Sequence, residues 1–330
     1  MPVQVYIDGQ EGTTGLKILE RFDGRSDIAL LKIDPEKRKD NAERKRLIHQ
    51  SDITFLCLPD AAAVEAVALA EGSNTRIIDA STAHRTNPDW AYGFPELSPA
   101  HRERIRTSQR VAVPGCYASG FISLVYPLVQ AGILPADYPV TAYALSGYSG
   151  GGKKAIAQYT DPNRDSCFDA PRLYALGQTH KHMPEMQKIS GLAHPPMFNP
   201  IICDFFNGMI VCVPILTRLL PKTVTPEQMH AAFAAHYANQ RFVHVTALQG
   251  SDVLPDGFMS ANPLAGSNDL EVFVCGNQDR ILLCARLDNL GKGASGAAVQ
   301  CMNLMIGAPE DTGLTSVYEK GVSSHEASEI

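Results

Sequence analysis

The first third of the chain alternates between two spacings of apolar residues. Val3, Val5 and Ile7 alternate with polar neighbours, which predicts a strand, and residues 14–22 then repeat apolar positions at helical spacing. The same succession continues with predicted strands over 28–34, 52–59 and 76–81 and predicted helices over 35–49 and 61–70. Strands that alternate with helices predict right-handed crossovers and a parallel sheet.

The middle of the chain follows a different pattern. Apolar, strand-like runs lie closer together there, over 140–147, 209–217, 243–248, 270–276 and 280–288. One helix between them is well marked, because Thr225 can cap it, Pro226 takes its first position and Gln228 completes a capping box. We expect a mixed or antiparallel sheet covered by helices, a last helix over 293–307, and a loosely packed polar tail after Ala308.

Composition and charge narrow the class of protein. The 330 residues, 45% of them hydrophobic, suffice for two domains. The formal net charge of -6, without a basic block, argues against a nucleic-acid partner. The amino terminus lacks the pattern of a signal peptide, and no apolar run is long enough to span a bilayer. We therefore expect a soluble, cytoplasmic protein with no membrane partner.

Glycines follow the first predicted strand in the sequence D-G-Q-E-G-T-T-G. Gly9, Gly12 and Gly15 allow the backbone to approach a pyrophosphate, and Thr13 and Thr14 add hydroxyl donors where the next helix begins. This pattern predicts a dinucleotide-binding loop in a βαβ unit, with the spacing G-x-x-G-x-x-G in place of the standard one. The alternative is a tight strand-to-helix turn without a ligand.

The choice between NAD and NADP stays open on these residues. Asp34 ends the second predicted strand, where an acidic side chain favours the free ribose hydroxyl of NAD. Lys37, Arg38 and Lys39 follow at once, and they either hold the 2′-phosphate of NADP or form a solvated helix face.

One of the cysteines stands apart from the others. No C-x-x-C pair occurs, so neither a zinc ribbon nor a thioredoxin-like site is indicated. The cysteines in apolar, strand-like runs are interpreted as buried small side chains: Cys57, Cys212, Cys275 and Cys284. Cys116 instead follows Pro114-Gly115 and begins a helix-like run. A helix N-terminus favours a thiolate and supplies an oxyanion hole, so Cys116 is a candidate nucleophile, the alternative being a buried cysteine at a helix start.

A proton-transfer partner for this thiolate is available in T-H-K-H-M-P-E-M, residues 179–186. His180 and His182 are two residues apart, and Glu185 can hydrogen-bond His182 and fix its tautomer if a helical turn begins there. A metal site at H-K-H is the weaker interpretation, because no further ligand set is evident, and we expect no metal.

Donors for a phosphate group lie in S-G-Y-S-G-G-G-K-K, residues 146–154. They are the Ser149 hydroxyl, the N–H groups of Gly150, Gly151 and Gly152, and the cations Lys153 and Lys154. Arg85, in S-T-A-H-R, is a second cation. Asn289 and Gly293, in D-N-L-G-K-G-A-S-G-A-A, are placed to meet the nicotinamide end of a cofactor. The alternatives are a flexible loop and a plain glycine-rich helix start.

In their order along the chain, these motifs resemble the short form of the N-acetyl-γ-glutamyl-phosphate reductase family. The matching segments are G-x-x-G-T-T-G, D-A-S-T-A-H-R, V-P-G-C-Y-A, S-G-Y-S-G-G-G-K, H-K-H-M-P-E and D-N-L-G-K-G-A-S-G-A-A-V-Q. The likeness runs from the first strand to about residue 307. It implies a Rossmann domain, an α/β domain of the glyceraldehyde-3-phosphate dehydrogenase type, NADP(H), and a homodimer or homotetramer.

The resemblance also implies roles for individual residues. Cys116 is the nucleophile, His182 the acid/base and Glu185 its support. The expected cofactor contacts are Gly9, Gly12, Thr13, Thr14, Gly15, Arg38, Cys57, Pro59, Ser81, Asn289 and Gly293. The expected contacts to substrate and phosphate are Arg85, Ser149, Gly150, Gly151, Lys153 and His180. Lys153 stands where the longer form of the family usually has arginine.

These expectations combine into one reaction and its alternatives. Residues 1–115, completed by 289–330, are expected to bind NADP, and residues 116–288 to carry catalysis and dimerisation. The expected reaction is the NADPH-dependent reduction of N-acetyl-γ-glutamyl phosphate to the semialdehyde through a thioester on Cys116, in arginine biosynthesis. The alternatives are a reductase of aspartyl or N-acetylaminoadipyl phosphate on the same scaffold, and a non-catalytic NADP-binding protein.

Overall fold

The computed structural model describes residues 2–254 and 256–318 and divides them into two compact units. Among these residues, the first unit takes in 2–115 and 294–314, and the second takes in 116–293 and 315–318. Each unit has its own sheet.

The sheet of the first unit is parallel throughout its described strands. These are β1 (Val3–Asp8), β2 (Ile28–Leu31), β3 (Ile53–Leu56), β4 (Arg76–Asp79), β5 (Ala91–Tyr92) and β6 (Arg110–Ala112). They lie in the order β2-β1-β3-β4-β6-β5, with parallel pairing at each step. β3 is buried along its whole length, because apolar side chains cover both faces of the sheet. The predicted parallel α/β architecture is confirmed.

The helices of this half are α1 (Thr13–Arg21), α2 (Asn41–Gln50), α3 (Asp60–Leu69) and α4 (Pro99–Thr107). The single helix predicted over 35–49 is wrong in its first part. The Asp34 carboxylate instead caps a short 3-10 turn, Pro35–Lys37, and the Asp40 carboxylate accepts two backbone N–H groups from the first turn of α2. Two aspartates at N-capping positions thus divide the polar run into two elements.

The sheet of the second unit is mixed, as predicted. Its described strands are β7 (Thr141–Gly147), β8 (Arg172–Leu173), β9 (Met197–Cys203), β10 (Met209–Leu216), β11 (Val243–Val245), β12 (Leu270–Gly276) and β13 (Arg280–Leu287). They lie in the order β11-β12-β13-β10-β7-β9-β8. The β7–β9 and β11–β12 pairs are parallel and the others antiparallel.

The helices of the second unit are α5 (Cys116–Gln130), α6 (Gly152–Thr160), α7 (Met183–Ser190) and α8 (Pro226–His236). The predicted capping box at α8 is confirmed. The Gln228 N–H donates to the Thr225 hydroxyl at 3.3 Å, and the Thr225 N–H donates back to the Gln228 side chain at 2.9 Å. α5 packs against α7 and against β10 and β13, which buries most of its side chains.

The last helix, α9 (Gly296–Ile306), belongs to the first unit and follows a π-helical turn, Gly291–Ser295. The loose tail expected after Ala308 is wrong for residues 309–318. Glu310 accepts a hydrogen bond from the Gln300 amide at 2.7 Å, and Ser316 is buried and donates to Asp269 at 2.9 Å. The rest of that tail, residues 319–330, lies outside the described residues.

Candidate active site

Cys116 is the first residue of α5, as the sequence predicts. Its side chain is half-buried, and the first turn of the helix contains no acidic residue. The positive end of the helix dipole therefore acts on the thiol without a competing carboxylate in that turn. A Cβ atom placed at Gly293 would lie 2.7 Å from the Cys116 Cβ atom, so glycine at position 293 makes room for the cysteine.

Tyr117 brings the two histidines to the start of α5. Its ring centroid lies 5.5 Å from that of His180 and 5.9 Å from that of His182, and the two imidazoles are 4.7 Å apart. The Tyr174 hydroxyl donates to the Tyr117 hydroxyl at 3.0 Å. Burial raises the pKa of Tyr117 well above its ordinary value, so the ring stays neutral beside Cys116. The nucleophile and the candidate acid/base thus share one aromatic neighbour.

The histidines are held by the start of α7. His182 is the residue before this helix, Glu185 lies in its first turn, and both side chains are buried. The His182 backbone N–H donates to Nδ1 of His180 at 3.1 Å. His180 Nδ1 is therefore an acceptor, which places the proton of a neutral His180 on Nε2. The hydrogen bond expected between Glu185 and His182 stays a prediction.

The phosphate loop leaves the carboxyl end of β7. Its backbone pairs with residues 205–208, and Ser149 is buried. Gly150 lies against Asn289, where a Cβ atom would come 3.1 Å from the Asn289 amide nitrogen. Gly151 precedes α6, and Lys153 is exposed in the first turn of that helix. The loop therefore combines a fixed serine with a cation that points to solvent.

Asn289, which lies 140 positions after Ser149 in the sequence, holds this loop in place. Its side-chain nitrogen donates to the Ser149 hydroxyl at 2.9 Å, and its side-chain oxygen accepts the Gly208 N–H at 2.8 Å. In the first of these bonds the Ser149 oxygen accepts, so the Ser149 proton can be donated to a ligand. The structure thus places Asn289 and Gly293 beside the phosphate loop and the cysteine, in the second unit. Their contact with a cofactor stays a prediction.

The glycine loop of the first unit follows β1, as predicted. Gly9 has φ +86°, and a Cβ atom there would lie 2.4 Å from the Cys57 carbonyl oxygen. A Cβ atom at Gly15 would lie 2.7 Å from the Gln10 Cα atom. The tight turn alone therefore requires glycine at these two positions. Gly12 is the N-cap of α1 and is followed by Thr13 and Thr14, with no acidic residue in the first turn. This leaves a helix start suited to an anion.

The strand β2 ends earlier than the sequence predicts. β2 ends at Leu31, so Lys32 takes the position at the strand end. The Asp34 carboxylate accepts the Glu36 N–H at 2.9 Å as a cap. A cavity of about 250 Å³ is lined by Ile7, Gln10, Leu19, Leu30, Leu31 and Lys32. The cavity is thus mainly apolar, with Lys32 at its edge and Gln10 of the glycine loop in its lining, and the choice between NAD and NADP stays a prediction.

The remaining predicted cofactor contacts lie along the carboxyl ends of β3 and β4. Pro59 is the N-cap of α3, and Ser81 donates from its hydroxyl to Asp79 at 2.7 Å. Burial, followed by the nearby carboxylates, raises the pKa of the Cys57 thiol to about 12. Cys57 therefore remains a neutral thiol whose backbone carbonyl shapes the glycine loop.

Two cations predicted for phosphate or cofactor have neighbours in the first unit. Arg38 forms an ion pair with Glu11 of the glycine loop. Arg85 is buried and donates to the Ala80 carbonyl at 3.1 Å. Both guanidinium groups are thus tied to the loops that follow β1 and β4.

Several residues of the site were not predicted from the sequence. Tyr117 could have been found, because it stands beside Cys116 in V-P-G-C-Y-A. Tyr174 and Phe198 could not, since nothing in their local sequence indicates the contacts that they make with Tyr117. In the described part of the chain, no group of three or more His, Cys, Asp or Glu side chains converges as metal ligands would. Nor does any helix of residues 2–254 and 256–318 have the length and apolar character to cross a bilayer.

Two family models match the chain, one before Cys116 and one that begins at Cys116. The semialdehyde dehydrogenase NAD-binding domain matches residues 15–105, and the semialdehyde dehydrogenase dimerisation domain matches residues 116–289. N-acetyl-gamma-glutamyl-phosphate reductase 2 of Nostoc sp. is 47% identical over 94% of this chain and 99% of its own length. The chain belongs to the N-acetyl-gamma-glutamyl-phosphate reductase family. A further member, from Brucella ovis, is 49% identical over 93% of this chain and 100% of its own.

Solved structures add agreement on the fold. Aspartate semialdehyde dehydrogenase II from Vibrio cholerae superposes with a TM-score of 0.69 at 20% identity, covering 93% of this chain and 99% of the other. The aspartate semialdehyde dehydrogenase from Francisella tularensis gives 0.69 at 14% identity, covering 92% and 100%. The reductase family is thus an oxidoreductase family on the semialdehyde dehydrogenase fold, and its NAD-binding domain indicates a nicotinamide cofactor.

Proposed function

We propose that this chain reduces N-acetyl-γ-glutamyl phosphate to N-acetylglutamate 5-semialdehyde and phosphate, with NADPH, as a step of arginine biosynthesis. The observation that carries the proposal is the start of α5, where Cys116 is followed by a tyrosine that contacts two histidines. Relatives that bear the reductase name are 47% to 49% identical over nearly the whole chain. A nucleophile, a proton-transfer group and a phosphate loop are the parts that such a reaction requires.

In the proposed mechanism, the Cys116 thiolate attacks the acyl carbon. A carbon–sulfur bond forms as the carbon–oxygen bond to phosphate breaks, and a thioester remains on the protein. N–H groups at the start of α5 stabilise the oxyanion that develops during the attack. His182 takes up the thiol proton and returns a proton to the departing group. Ser149 and Lys153 hold the leaving phosphate, with Arg85 proposed as a second cation.

The nicotinamide cofactor, when bound, supplies the hydride that reduces the thioester carbon. The carbon–sulfur bond then breaks, which releases the aldehyde and returns the Cys116 thiolate. We assign cofactor binding to the first unit, with the glycine loop at the pyrophosphate. Lys32 after the end of β2 favours the 2′-phosphate of NADP, because the Asp34 carboxylate is engaged as a cap. Arg38, which pairs with Glu11, is proposed as a second cation for that phosphate.

The assembly and the location of the chain are also proposals. The match to a dimerisation domain supports an oligomer, and we propose a homodimer or homotetramer in the cytoplasm. The rival substrates, aspartyl and N-acetylaminoadipyl phosphate, remain the alternatives to test. The aspartate enzymes share the fold at 14% to 20% identity, far below the reductase relatives. One methylene in a pocket is worth only about 1–3 kcal/mol, so the aminoadipyl substrate calls for a direct comparison.

The test is the reverse reaction, phosphate-dependent reduction of NADP with each semialdehyde in turn. We expect a strong preference for N-acetylglutamate semialdehyde over the aspartate and N-acetylaminoadipate semialdehydes. Preference for another semialdehyde would retain the mechanism and overturn the substrate. Cys116→Ser should abolish turnover while leaving NADPH fluorescence titrations unchanged, and retained turnover in that variant would refute the covalent route.

A further inference from the structure

The chain that leads to the histidines runs along the edge of the second sheet. Arg172 and Leu173 of β8 pair with β9, and the Tyr174 N–H donates to the Pro200 carbonyl at 3.2 Å. The chain then turns, with the Gln178 N–H donating to the Ala175 carbonyl at 2.9 Å. The regular pairing with β9 therefore ends four residues before Gln178, and six before His180.

The Gln178 side chain contacts β9 beyond the point where this backbone pairing ends. Its amide oxygen accepts the Phe198 backbone N–H at 2.9 Å, and its amide nitrogen lies 3.4 Å from the Asn199 side-chain oxygen as a donor. The Phe198 N–H lies on the side of β9 that faces away from β7, because the two parallel strands alternate their donors. The glutamine amide thus bonds a backbone N–H of β9 that a further residue of β8 would otherwise bond.

The backbone of Gln178 is in an unfavourable conformation. Its φ is +54°, in the left-handed region, which costs roughly 1 kcal/mol for a residue with a Cβ atom. Such conformations persist where the surrounding contacts compensate for them, and they concentrate at functional sites. The two side-chain contacts of Gln178 are the compensation that the structure shows.

Phe198 connects the two side-chain contacts of Gln178, which we call the Gln178 clamp, to the candidate active site. Its ring is fully buried and lies 5.3 Å from the His180 ring and 5.2 Å from the Tyr117 ring, measured between centroids. His180 in turn accepts the His182 N–H. Gln178, two residues before His180, is therefore bonded to Phe198. The Phe198 ring in turn contacts both His180 and Tyr117, the residue after Cys116.

We propose that Gln178 is a positioning residue that holds His180 and, through it, His182 in place beside Cys116. This inference rests on the proposed function for its kinetic readout. Gln178 acts through Phe198 and touches no reacting atom. Loss of its amide should misplace the histidines by a fraction of an ångström to an ångström, which can lower turnover by roughly 10-fold to 100-fold.

The chain offers a closely matched control. Gln249 also has a left-handed backbone, with φ +65°, and its amide also clamps a strand, donating to the Gly276 carbonyl at 2.8 Å and accepting the Gly276 N–H at 3.0 Å. It belongs to the turn that follows β11, and among the described residues its side-chain amide bonds Gly276 at the end of β12. A loss that is merely structural should therefore appear equally in Gln178→Ala and Gln249→Ala.

The experiment compares Gln178→Ala, Gln178→Gly, Gln178→Glu and Gln249→Ala in the full chain. We expect Gln178→Ala to lower kcat with little change in KM, and Gln249→Ala to lower the melting temperature alone. Gln178→Gly relieves the backbone strain without the clamp, so its kcat should stay low. Gln178→Glu keeps an acceptor for the Phe198 N–H, so it should recover part of the activity and remain folded if the alanine variant does not.

The outcomes separate this inference from the proposed function. Wild-type kcat in Gln178→Gly, or equal kcat in the two alanine variants, would overturn the positioning role. An inactive wild-type protein would overturn the proposed function instead. In that case the pH dependence of Cys116 alkylation by iodoacetamide replaces kcat as the readout: a profile changed in Gln178→Ala and unchanged in Gln249→Ala supports positioning, and identical profiles in all variants overturn it.

Discussion

The Asn289 side-chain amide donates a hydrogen bond to the Ser149 hydroxyl at 2.9 Å, across 140 positions of sequence. Its oxygen accepts the buried Gly208 N–H, so one side chain fixes both the phosphate loop and the segment beside it. A residue that looked like a cofactor contact in the sequence is, in the second unit, the organiser of the loop proposed to bind phosphate.

Replacement of Asn289 by alanine should therefore raise the KM for phosphate in the reverse reaction. It leaves the Gly208 N–H without its acceptor, which costs about 1–3 kcal/mol of stability as well. Asn277→Ala is the control, because Asn277 caps the turn before β13 through the Asp279 and Arg280 N–H groups. Equal phosphate KM values in the two variants would contradict the assigned role. Initial rates at varied phosphate and thermal melts measure both effects.

Iodoacetamide should alkylate Cys116 before the exposed thiol of Cys167. Alkylation requires the thiolate, and a hydrogen bond with the Asp165 carboxylate is the largest cause that raises the pKa of Cys167. At neutral pH a raised pKa lowers the thiolate fraction of Cys167. Mass spectrometry of tryptic peptides over time gives the order of labelling. Faster labelling of Cys167, or unchanged total labelling in Cys116→Ser, would show that the helix start does not activate the cysteine.

The ring of Tyr117 should matter more than its hydroxyl. Tyr117→Phe removes the 3.0 Å bond to Tyr174 and keeps the surface on which both histidines pack, so most of kcat should survive. Tyr117→Leu removes that surface and should lower kcat by about 10-fold or more. Tyr174→Phe deletes the same hydroxyl pair from the other side and should match Tyr117→Phe. If Tyr117→Phe is as slow as Tyr117→Leu, the hydroxyl carries the role.

The sequence predicted the parts of the site whose signals are local. The structure has the glycine loop after β1 and has Cys116 at the start of α5, as predicted. Both could be predicted because their signals lie in neighbouring residues. β9 was missed, because Asn199 and Pro200 interrupt the apolar pattern in a strand that the sheet nevertheless accommodates. The Asn289 contact could not be predicted, since the fold alone brings it to Ser149.

The choice between NAD and NADP stayed open in the sequence for a similar reason: it depends on a strand end that local residues do not define. From the sequence, Asp34 seemed to end β2, and the strand in fact stops at Leu31. The strand ends three residues earlier than predicted and is followed by Lys32, so Asp34 does not occupy the strand end that the sequence assigned to it. The mostly charged run over residues 32–39 gave no means of placing that boundary, because the boundary depends on which residue caps the turn that follows.

The buried ion pair behind the glycine loop should be sensitive to the loss of one partner. Arg44 donates from Nε and Nη2 to the Asp8 carboxylate at 3.0 and 2.9 Å, and both side chains are buried. Arg44→Met leaves the carboxylate without its cation and should cost about 3–5 kcal/mol in urea unfolding. The double variant with Asp8→Asn should recover part of this loss.

A matched change on the same helix tests that reasoning. Arg46 is exposed and pairs with Glu43, so Arg46→Met should lower the free energy of unfolding much less than Arg44→Met does. Similar losses for the two arginines would show that burial does not decide the value of the Asp8 pair.

His101 should make the first unit less stable as the pH falls. Its Nδ1 lies 2.8 Å from the Ser98 hydroxyl at the start of α4, and burial, followed by the Arg104 charge, lowers its pKa. A folded-state pKa below the unfolded value of about 6.5 means that the folded protein prefers the neutral ring. The stabilisation is therefore complete above about pH 6.5 and is lost as the pH falls towards the folded pKa.

His101→Gln should flatten the stability profile below about pH 6.5, since glutamine does not titrate there. Urea unfolding at a series of pH values measures it. His49→Gln is the control: this exposed histidine lies in the last turn of α2, with its Nε2 3.0 Å from the Leu69 carbonyl at the end of α3, and its removal should leave the contribution of His101 in place. A His101→Gln profile parallel to that of the wild type would show that protonation of this ring is not what weakens α4 in acid.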